Sequence, residues 1–305
     1  MTKFILRRVL ISIPVLLLVA SATFFIMRFA PGGPFISERA IPPEILANIQ
    51  AKYGLDKPLL EQYWQYLSNL AHFDLGPSYK YPDRTVNEII ATAFPVSLQL
   101  GLSALLVALL VGLPAGVLAA VKQGRAADRL TMGLILFGIS VPTFVTGPLL
   151  VFVFSLSLYW FPPALWGSWR NMVLPACTLG LPYAVYIARL TRSELIDVLK
   201  QDYIRSARAK GVSEFRILWK HARNTTLMPV VSFLGPALAD LVTGSIVVEK
   251  IFAIPGLGRY FVESAFSRDY TTVLGTVVFY AALLIGANLL VDVVYRFLDP
   301  RIEYS

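Results

Sequence analysis

Long stretches without a charged residue divide this 305-residue chain into candidate membrane spans. About 20 apolar residues cross the hydrocarbon core of a bilayer, and a charge within that core is costly. The uncharged stretches are 9–27, 89–121, 130–169, 171–188 and 270–291, and 229–248 is apolar except for Asp240. Because 130–169 is long enough for one span and a return to the interface, the pattern predicts six transmembrane helices. Their expected positions are about 9–28, 95–121, 130–158, 171–190, 229–248 and 273–292.

The connecting segments differ in their content of Lys and Arg. If the N-terminus is inside, the inner segments 1–8, 122–129, 189–228 and 292–305 hold 17 Lys and Arg against 8 Asp and Glu. The outer segments 29–94, 161–170 and 249–272 hold 9 Lys and Arg against 10 Asp and Glu. Basic residues concentrate on the cytoplasmic side of membrane proteins, so both termini, the loop 191–228 and the tail 293–305 are predicted to be cytoplasmic. The net charge of +8 is then an orientation bias rather than a signal for nucleic-acid binding.

The first 28 residues allow two interpretations. Lys3, Arg7 and Arg8, an apolar run and Ala20-Ser21-Ala22 are the pattern of a cleavable signal peptide. The apolar run, however, continues through Met27 to the length of a full span. Removal of this segment would leave the orientation of the other five spans unchanged, so topology does not decide between processing and retention.

The segment 29–94 is too long for a plain connection between two spans. Pro42-Pro43-Glu44 is typical of a helix start and Gly54 of a helix end, and a second helix is expected to end at about Ala71. Seven aromatic residues lie between positions 53 and 81. They can hold a small extracytoplasmic helical segment against the bilayer surface, or they can form a docking surface for an external partner.

Composition and motifs narrow the function classes. Hydrophobic residues make up 56% and charged residues 15% of the chain, against about 45–50% and about 25% for a soluble domain. One cysteine, Cys177, and two histidines, His72 and His221, do not supply a usual structural zinc site. The sequence contains no G-x-x-x-x-G-K-[ST], H-E-x-x-H or G-x-S-x-G motif, so neither a P-loop nor usual hydrolase chemistry is expected. We therefore expect no catalytic residue, metal site or cofactor site in this chain.

Small residues recur every four positions in the second predicted span, at Ala104, Ala108, Gly112, Gly116 and Ala120. Such a stripe lets another helix approach closely, which is how helices associate where lipid removes the hydrophobic driving force. The stripe predicts a helix–helix contact along this span.

Asp240 is a charge inside a predicted span and costs about 2.5–3.5 kcal/mol there on insertion scales. An acid at this depth either faces an aqueous translocation path or hydrogen-bonds a neighbouring helix. The sequence leaves both interpretations open.

The loop 191–228 contains a short amphipathic segment. Asp202 is expected to cap a helix that has Ile204 and Ala207 on one face and basic side chains on another. Gly211 suits a left-handed helix end. A helix of about two turns is not stable alone in water, so it packs on the chain's own spans, binds anionic headgroups, or is offered to a cytoplasmic partner.

A second short helix is expected after this segment. Ser213 is a candidate cap for it, and Phe215, Leu218 and Trp219 are expected on one side.

Residues Ile204–Gly211 (IRSARAKG) resemble the "EAA…G" loop of permease subunits in binding-protein-dependent ABC importers. Arg205 and Ser206 stand in place of the Glu and first Ala, and Asn224 stands where the general pattern has Pro. This variant is similar to the peptide-permease branch, above all to the B subunits of oligopeptide permeases. Further similar segments are 30–32, 51–55, 73–78, 94–97, 244–249, 254–258, 268–270, Asp292 and 299–301. Together they cover nearly the whole chain in a specific order.

The resemblance implies an all-α polytopic membrane protein in the bacterial inner membrane. Residues 1–28 would hold the cytoplasmic N-terminus and first span, 29–94 a small helical insertion, and 95–292 a type I ABC importer transmembrane domain with an extracytoplasmic loop at 249–272. The resemblance also implies that the loop helix is a coupling helix that contacts an ATPase. The residues implied in that contact are Tyr203, Ile204, Arg205, Ala207, Arg208, Ala209, Lys210 and Gly211.

The implied partners are a second homologous permease subunit, two cytoplasmic ATPase subunits, an external peptide-binding protein, a peptide cargo and membrane lipid. ATP would act on the partner subunits. The alternative function is an ion- or proton-coupled secondary transporter or channel, which would need several titratable groups at membrane depth, whereas Asp240 is a single one. Peptide length, the choice between oligopeptide, dipeptide and metal-chelate cargo, and the residues lining the pathway stay open at this point.

Overall fold

The computed structural model describes residues 2–29, 43–81, 83–243 and 246–298, and within these ranges the chain forms helices and no strand. The first seven helices are α1 (Thr2–Phe29), α2 (Pro43–Lys52), α3 (Leu59–Ala71), α4 (Val86–Val121), α5 (Ala126–Ser140), α6 (Thr143–Leu150, continued by a π-helical stretch Val151–Ser157) and α7 (Trp169–Leu199). They are followed by α8 (Asp202–Ala209), α9 (Glu214–Arg216, continued by a π-helical stretch Ile217–Ala222), α10 (Arg223–Thr243), α11 (Ile246–Ile251), α12 (Leu257–Ser267) and α13 (Tyr270–Leu298). Three segments of the resemblance, 30–32, 244–245 and 299–301, lie outside the described residues.

The predicted all-helical membrane fold is confirmed. Within the described ranges, five helical stretches are long and apolar enough to cross a bilayer, and Thr143–Ser157 is a shorter apolar helix. The five are Leu6–Phe29, Val86–Val121, Trp169–Leu199, Glu214–Ile251 (with 244 and 245 outside the described residues) and Tyr270–Asp292.

The third predicted span, 130–158, is not one continuous helix. It divides into α5 and α6 at Val141 and Pro142, where Val141 is extended with φ −96° and ψ 120°. The proline ring disfavours the helical conformation for the residue before it and removes a backbone donor, so α5 ends and α6 begins here.

Several other spans extend beyond their predicted ends. α7 runs to Leu199, well past the predicted end at 190, and α4 begins at Val86 rather than near 95. Arg189 ends the uncharged stretch, but Arg and Glu are good helix formers, so the helix continues through Arg192 and Glu194 past the hydrophobic boundary. Much of the predicted loop 191–228 is therefore helical.

The chain forms two compact units, one within 1–95 and 256–285 and the other within 96–255 and 286–305. The core of the first unit is formed by Val86, Ile89 and Ala93 of α4 and by Leu257 at the start of α12. The close approach of α13 to α4 requires Gly275, because a Cβ there would lie 2.6 Å from Val86 Cγ1.

A buried carboxylate connects two segments of the first unit. Asp269 is 1% exposed and directly precedes α13. Its oxygens accept hydrogen bonds from Ser78 Oγ at 2.5 Å, Tyr79 N at 3.0 Å and Thr272 Oγ1 at 2.7 Å. Carboxylates that accept backbone and hydroxyl donors at a helix start are strong caps. Asp269 therefore holds the segment before α4 against the beginning of α13.

The end of α1 packs against α3 through aromatic rings. Phe24 is 1% exposed and its ring lies 5.4 Å from Tyr66 and 5.3 Å from Tyr63. Part of the aromatic cluster predicted for the surface thus packs inward on α1, while Trp64 and Phe73 remain exposed.

The second unit is built on close contacts between α4, α7 and α10. A Cβ at Gly112 would lie 2.7 Å from the Ala184 carbonyl oxygen, and a Cβ at Gly116 would lie 2.6 Å from the Ala188 carbonyl oxygen. The α4 backbone therefore touches the α7 backbone directly, and the contact predicted from the small-residue stripe is confirmed.

Candidate functional site

Two apolar side chains pack the helix α8 against its own chain. Ile204 is fully buried and Ala207 is 8% exposed. Both pack in an apolar cluster with Leu195 and Val198 from the end of α7 and with Ile217 after α9. The opposite side of α8 is open, because Tyr203 is 47% exposed and the Arg205 side chain is 71% exposed.

The start of α8 differs from the prediction. Gln201, not Asp202, occupies the N-cap position, with φ −65° and ψ 149°, and makes no side-chain capping hydrogen bond. Asp202 is the first helical residue, where a negative charge still interacts favourably with the helix dipole. Its Oδ1 lies 3.7 Å from Arg205 Nη1, a long ion pair between exposed side chains.

The end of α8 confirms the role predicted for Gly211. Gly211 has φ +76°, its N donates to the Arg208 carbonyl at 2.9 Å, and Val212 N donates to the Ala207 carbonyl at 3.2 Å. This pair of bonds is a Schellman motif, which needs a left-handed residue after the helix. In the part of the chain that the structure describes, no atom beyond the residues adjacent to Gly211 lies within 4 Å of a Cβ built on it, so backbone conformation alone favours glycine here.

A bidentate ion pair joins α8 to the next short helix. Arg208 Nε and Nη2 donate to the two carboxylate oxygens of Glu214 at 2.7 and 3.1 Å. Arg208 is therefore engaged within the chain, whereas Ala209 and Lys210 are exposed.

The exposed aromatic side chains beside α8 were not assigned a function from sequence. Phe215 and Trp219 are 77% and 62% exposed, and the Arg223 guanidinium lies 5.1 Å from the Trp219 ring. The predicted side containing Phe215, Leu218 and Trp219 does not pack inward as a whole, since Ile217 is the fully buried residue. The π-helical stretch that begins at Ile217 shifts the angular position of each side chain.

The sequence did not indicate an ion pair between α5 and α7. Asp128 at the start of α5 is 4% exposed and accepts from Arg192 Nε and Nη2, each at 2.8 Å, and from Gly124 N at 2.9 Å. The Arg192 hydrogen bonds, followed by the Gly124 hydrogen bond, lower the pKa of Asp128 to about 2. The pair fixes α7 against the turn between α4 and α5. Its sequence signal was limited to one acid within the basic segment 122–129.

Asp240 lies on the surface of the second unit. It is exposed, whereas its neighbours Ala239 and Leu241 are 4% and 0% exposed. The Tyr183 hydroxyl of α7 donates a hydrogen bond to Asp240 Oδ2. The hydrogen bond to a neighbouring helix, one of the two interpretations left open by the sequence, is therefore present, and whether Asp240 faces a translocation path stays a prediction.

Metal ligands do not cluster in the described part of the chain. Within residues 2–29, 43–81, 83–243 and 246–298, no three His, Cys, Asp or Glu side chains are grouped so that they could hold a metal ion.

Two family profiles match this sequence. The family described as "Binding-protein-dependent transport system inner membrane component" matches residues 112–304, and the related N-terminal profile matches residues 1–101. The chain belongs to this family of transport components. It is accordingly an integral inner-membrane protein that works with a substrate-binding partner.

Named relatives agree with this family over the full length. The chain is 49% identical over 306 residues to the oligopeptide transport system permease protein OppB of Salmonella typhimurium, covering 100% of both chains. It is 47% identical to OppB of Escherichia coli K12, again over 100% of both. It is 45% identical to the dipeptide transport system permease protein DppB of Bacillus subtilis, covering 99% of this chain and 98% of that one.

Solved structures share the fold at low sequence identity. Two inward-facing structures of the MetNI methionine ABC transporter match with TM-scores of 0.56 and 0.57 and identities of 20% and 19%. Each match covers 69% of the chain described here and 96% of the MetNI chain. This likeness confirms the predicted type I importer transmembrane fold.

Proposed function

We propose that this chain is a permease subunit of an ATP-driven importer of oligopeptides and forms half of its translocation pathway. The family assignment and the full-length identity to oligopeptide and dipeptide permeases support this function. They favour it over an ion-coupled secondary transporter or channel, the alternative that the sequence alone left open.

The observation that supports ATPase coupling most directly is that α8 is buried on one side and exposed on the other. Ile204 and Ala207 anchor the helix, while Tyr203, Arg205 and Lys210 are exposed. A two-turn helix on the protein surface with an aromatic and basic outer face fits a groove of a cytoplasmic partner. We assign that partner as an ATPase subunit, since the chain has no P-loop of its own.

The packing of α8 provides a route for force into the membrane. The cluster that buries Ile204 includes Leu195 and Val198 of α7, and α7 touches α4 backbone to backbone at Gly112 and Gly116. Closely packed helices move as rigid bodies rather than deform locally. Movement of an ATPase bound at α8 would then shift α7 together with α4 and switch the access of the pathway.

The proposed assembly contains a second homologous permease subunit, two ATPase subunits and an external peptide-binding protein. The distribution of Lys and Arg supports cytoplasmic termini and a cytoplasmic α8. The segment between α1 and α4 and the segment around α12 then face the binding protein, which delivers the peptide. ATP acts on the partner subunits.

Co-purification tests the coupling role of α8. We expect Arg205→Glu, which reverses a charge on the exposed face, to reduce the amount of ATPase recovered with the tagged chain from detergent at least tenfold. The matched control is Arg84→Glu, an exposed charge before α4, which should leave recovery unchanged. Deletion of 202–211 should abolish recovery. Normal ATPase recovery with both the deletion and Arg205→Glu would overturn the assignment.

A further inference from the structure

Asp240 stands near the middle of the predicted span 229–248, at a depth where a carboxylate is costly. Tyr183, which donates a hydrogen bond to it, stands near the midpoint of α7, a 31-residue helix from Trp169 to Leu199. At about 1.5 Å per residue, Tyr183 is about 18 Å from one end of the uncharged stretch 171–188 of this helix and about 8 Å from the other. The Asp240 side chain is therefore too short to reach the headgroup region.

The helix α10 turns Asp240 away from the interior of its unit. Ala239 and Leu241 on either side are buried, whereas Asp240 is exposed and Tyr186 of α7 is 47% exposed. A carboxylate at this depth is costly against lipid, so a helix face that carries one meets another protein chain or a water-filled path. In a subunit that forms half of a pathway, the polar exposed face is the face that lines it.

The surroundings of Asp240 suit a cationic group. The Phe233 ring lies 6.2 Å from Tyr183 and 5.6 Å from Tyr186, so three aromatic rings share this region of α7 and α10. Asp240 Oδ2 accepts from Tyr183, and within the described residues Asp240 forms no ion pair with a basic side chain. A carboxylate attracts an ammonium group by charge, and aromatic rings on the same two helices can add cation–π attraction.

We propose that Asp240 lines the translocation pathway and binds the ammonium group of the passing peptide, either its N-terminus or a lysine side chain. Tyr183 is a positioning residue that orients the carboxylate toward the pathway. This inference rests on the proposed function, since it names the part of the cargo that the pathway recognises.

Uptake by proteoliposomes that contain the complete transporter and the binding protein tests this inference. The variant is Asp240→Asn, which keeps an oxygen for the Tyr183 hydroxyl but removes the charge. The cargoes are a lysine-containing and a glutamine-containing tetrapeptide, each with a free and an acetylated N-terminus. For each cargo the rate of the variant is divided by that of the wild type, so that the preference of the binding protein cancels.

We expect Asp240→Asn to lower uptake of the ammonium-carrying peptides about tenfold, as for loss of a hydrogen bond to a charged group. Uptake of the acetylated glutamine peptide should change less than twofold. The control Lys122→Gln removes an exposed charge from the turn between α4 and α5 and should change none of the ratios. If all four peptides lose uptake equally, with normal assembly and ATPase activity, Asp240 only packs the helices and the inference is wrong. If none loses uptake, Asp240 does not contact the cargo and the inference is also wrong.

Thiol labelling gives a second readout that does not depend on rate. In a Cys177→Ser background, the Asp240→Cys variant should react with a membrane-impermeant cationic thiol reagent in the assembled complex, and peptide should slow the reaction. Absence of reaction would overturn the pathway position. Failure of the proposed function gives a different result, because wild-type vesicles would then take up none of the peptides on addition of ATP. The inference about Asp240 would then be wrong as well.

Discussion

The α4–α7 contact and the α8 segment both depend on glycine, but for opposite reasons. At Gly116 a side chain has no room, since a Cβ would lie 2.6 Å from both the Ala188 carbonyl oxygen and Thr191 Cβ. At Gly211 space is free, and only φ +76° excludes other residues. The first region is closely packed along its length, whereas the second is a short helix attached by two buried apolar side chains and one ion pair. A part that transmits force must be stiff, and a part that a partner binds must leave a surface uncovered.

The largest expected effect comes from filling the α4–α7 contact. Gly116→Leu would push the two backbones apart, and we expect it to lower the free energy of unfolding by about 3 kcal/mol or more. Thermal unfolding of the detergent-purified chain measures this. The control is Gly133→Ala in α5, where no atom lies within 4 Å of the added Cβ. A melting temperature for Gly116→Leu equal to that of the control would show that this contact is not tight.

A smaller effect is expected from the ion pair that fixes α7 to the turn before α5. Asp128→Asn removes the charge that Arg192 binds in bidentate fashion, and we expect a loss of about 2 kcal/mol in the free energy of unfolding. The estimate stays below that for a fully buried pair because the Arg192 side chain is 30% exposed. A double-mutant cycle with Arg192→Gln measures the coupling, and full additivity of the two single losses would contradict the pairing.

The smallest effect on stability is expected at the end of α8. Gly211→Val places a β-branched residue at positive φ, which costs about 1–2 kcal/mol and distorts the Schellman motif. We expect ATP hydrolysis to continue while peptide uptake falls, as measured in the same vesicles. Gly211→Asn is the control, because asparagine tolerates the left-handed conformation. Equal loss of uptake in both variants would contradict a purely conformational role for Gly211.

The features that sequence predicted are those with a local physical cause. Charge-free stretches located the spans because the cost of burying charge acts at each residue. The small-residue stripe at Gly112 and Gly116 predicted the α4 contact, and Gly211 predicted the helix end. The anchoring of α8 through Ile204 followed from its amphipathic spacing.

The features that sequence missed depend on pairs far apart in the chain or on local irregularity. Nothing near Asp128 indicated Arg192 as its partner, and nothing near Asp269 indicated Ser78. Which of these distant groups meet is set by the packed fold. The exposure of Trp219 depends on a π-helical stretch that shifts the helical period, which a pattern based on 3.6 residues per turn does not contain.

Site-specific photocrosslinking from α8 tests the central claim most directly. A photoreactive phenylalanine analogue at position 203, on the exposed face, should crosslink in intact cells to a subunit that binds ATP. The same analogue at position 204, which is fully buried, should crosslink within this chain. Crosslinks from position 203 only to lipid or to this polypeptide would contradict the account.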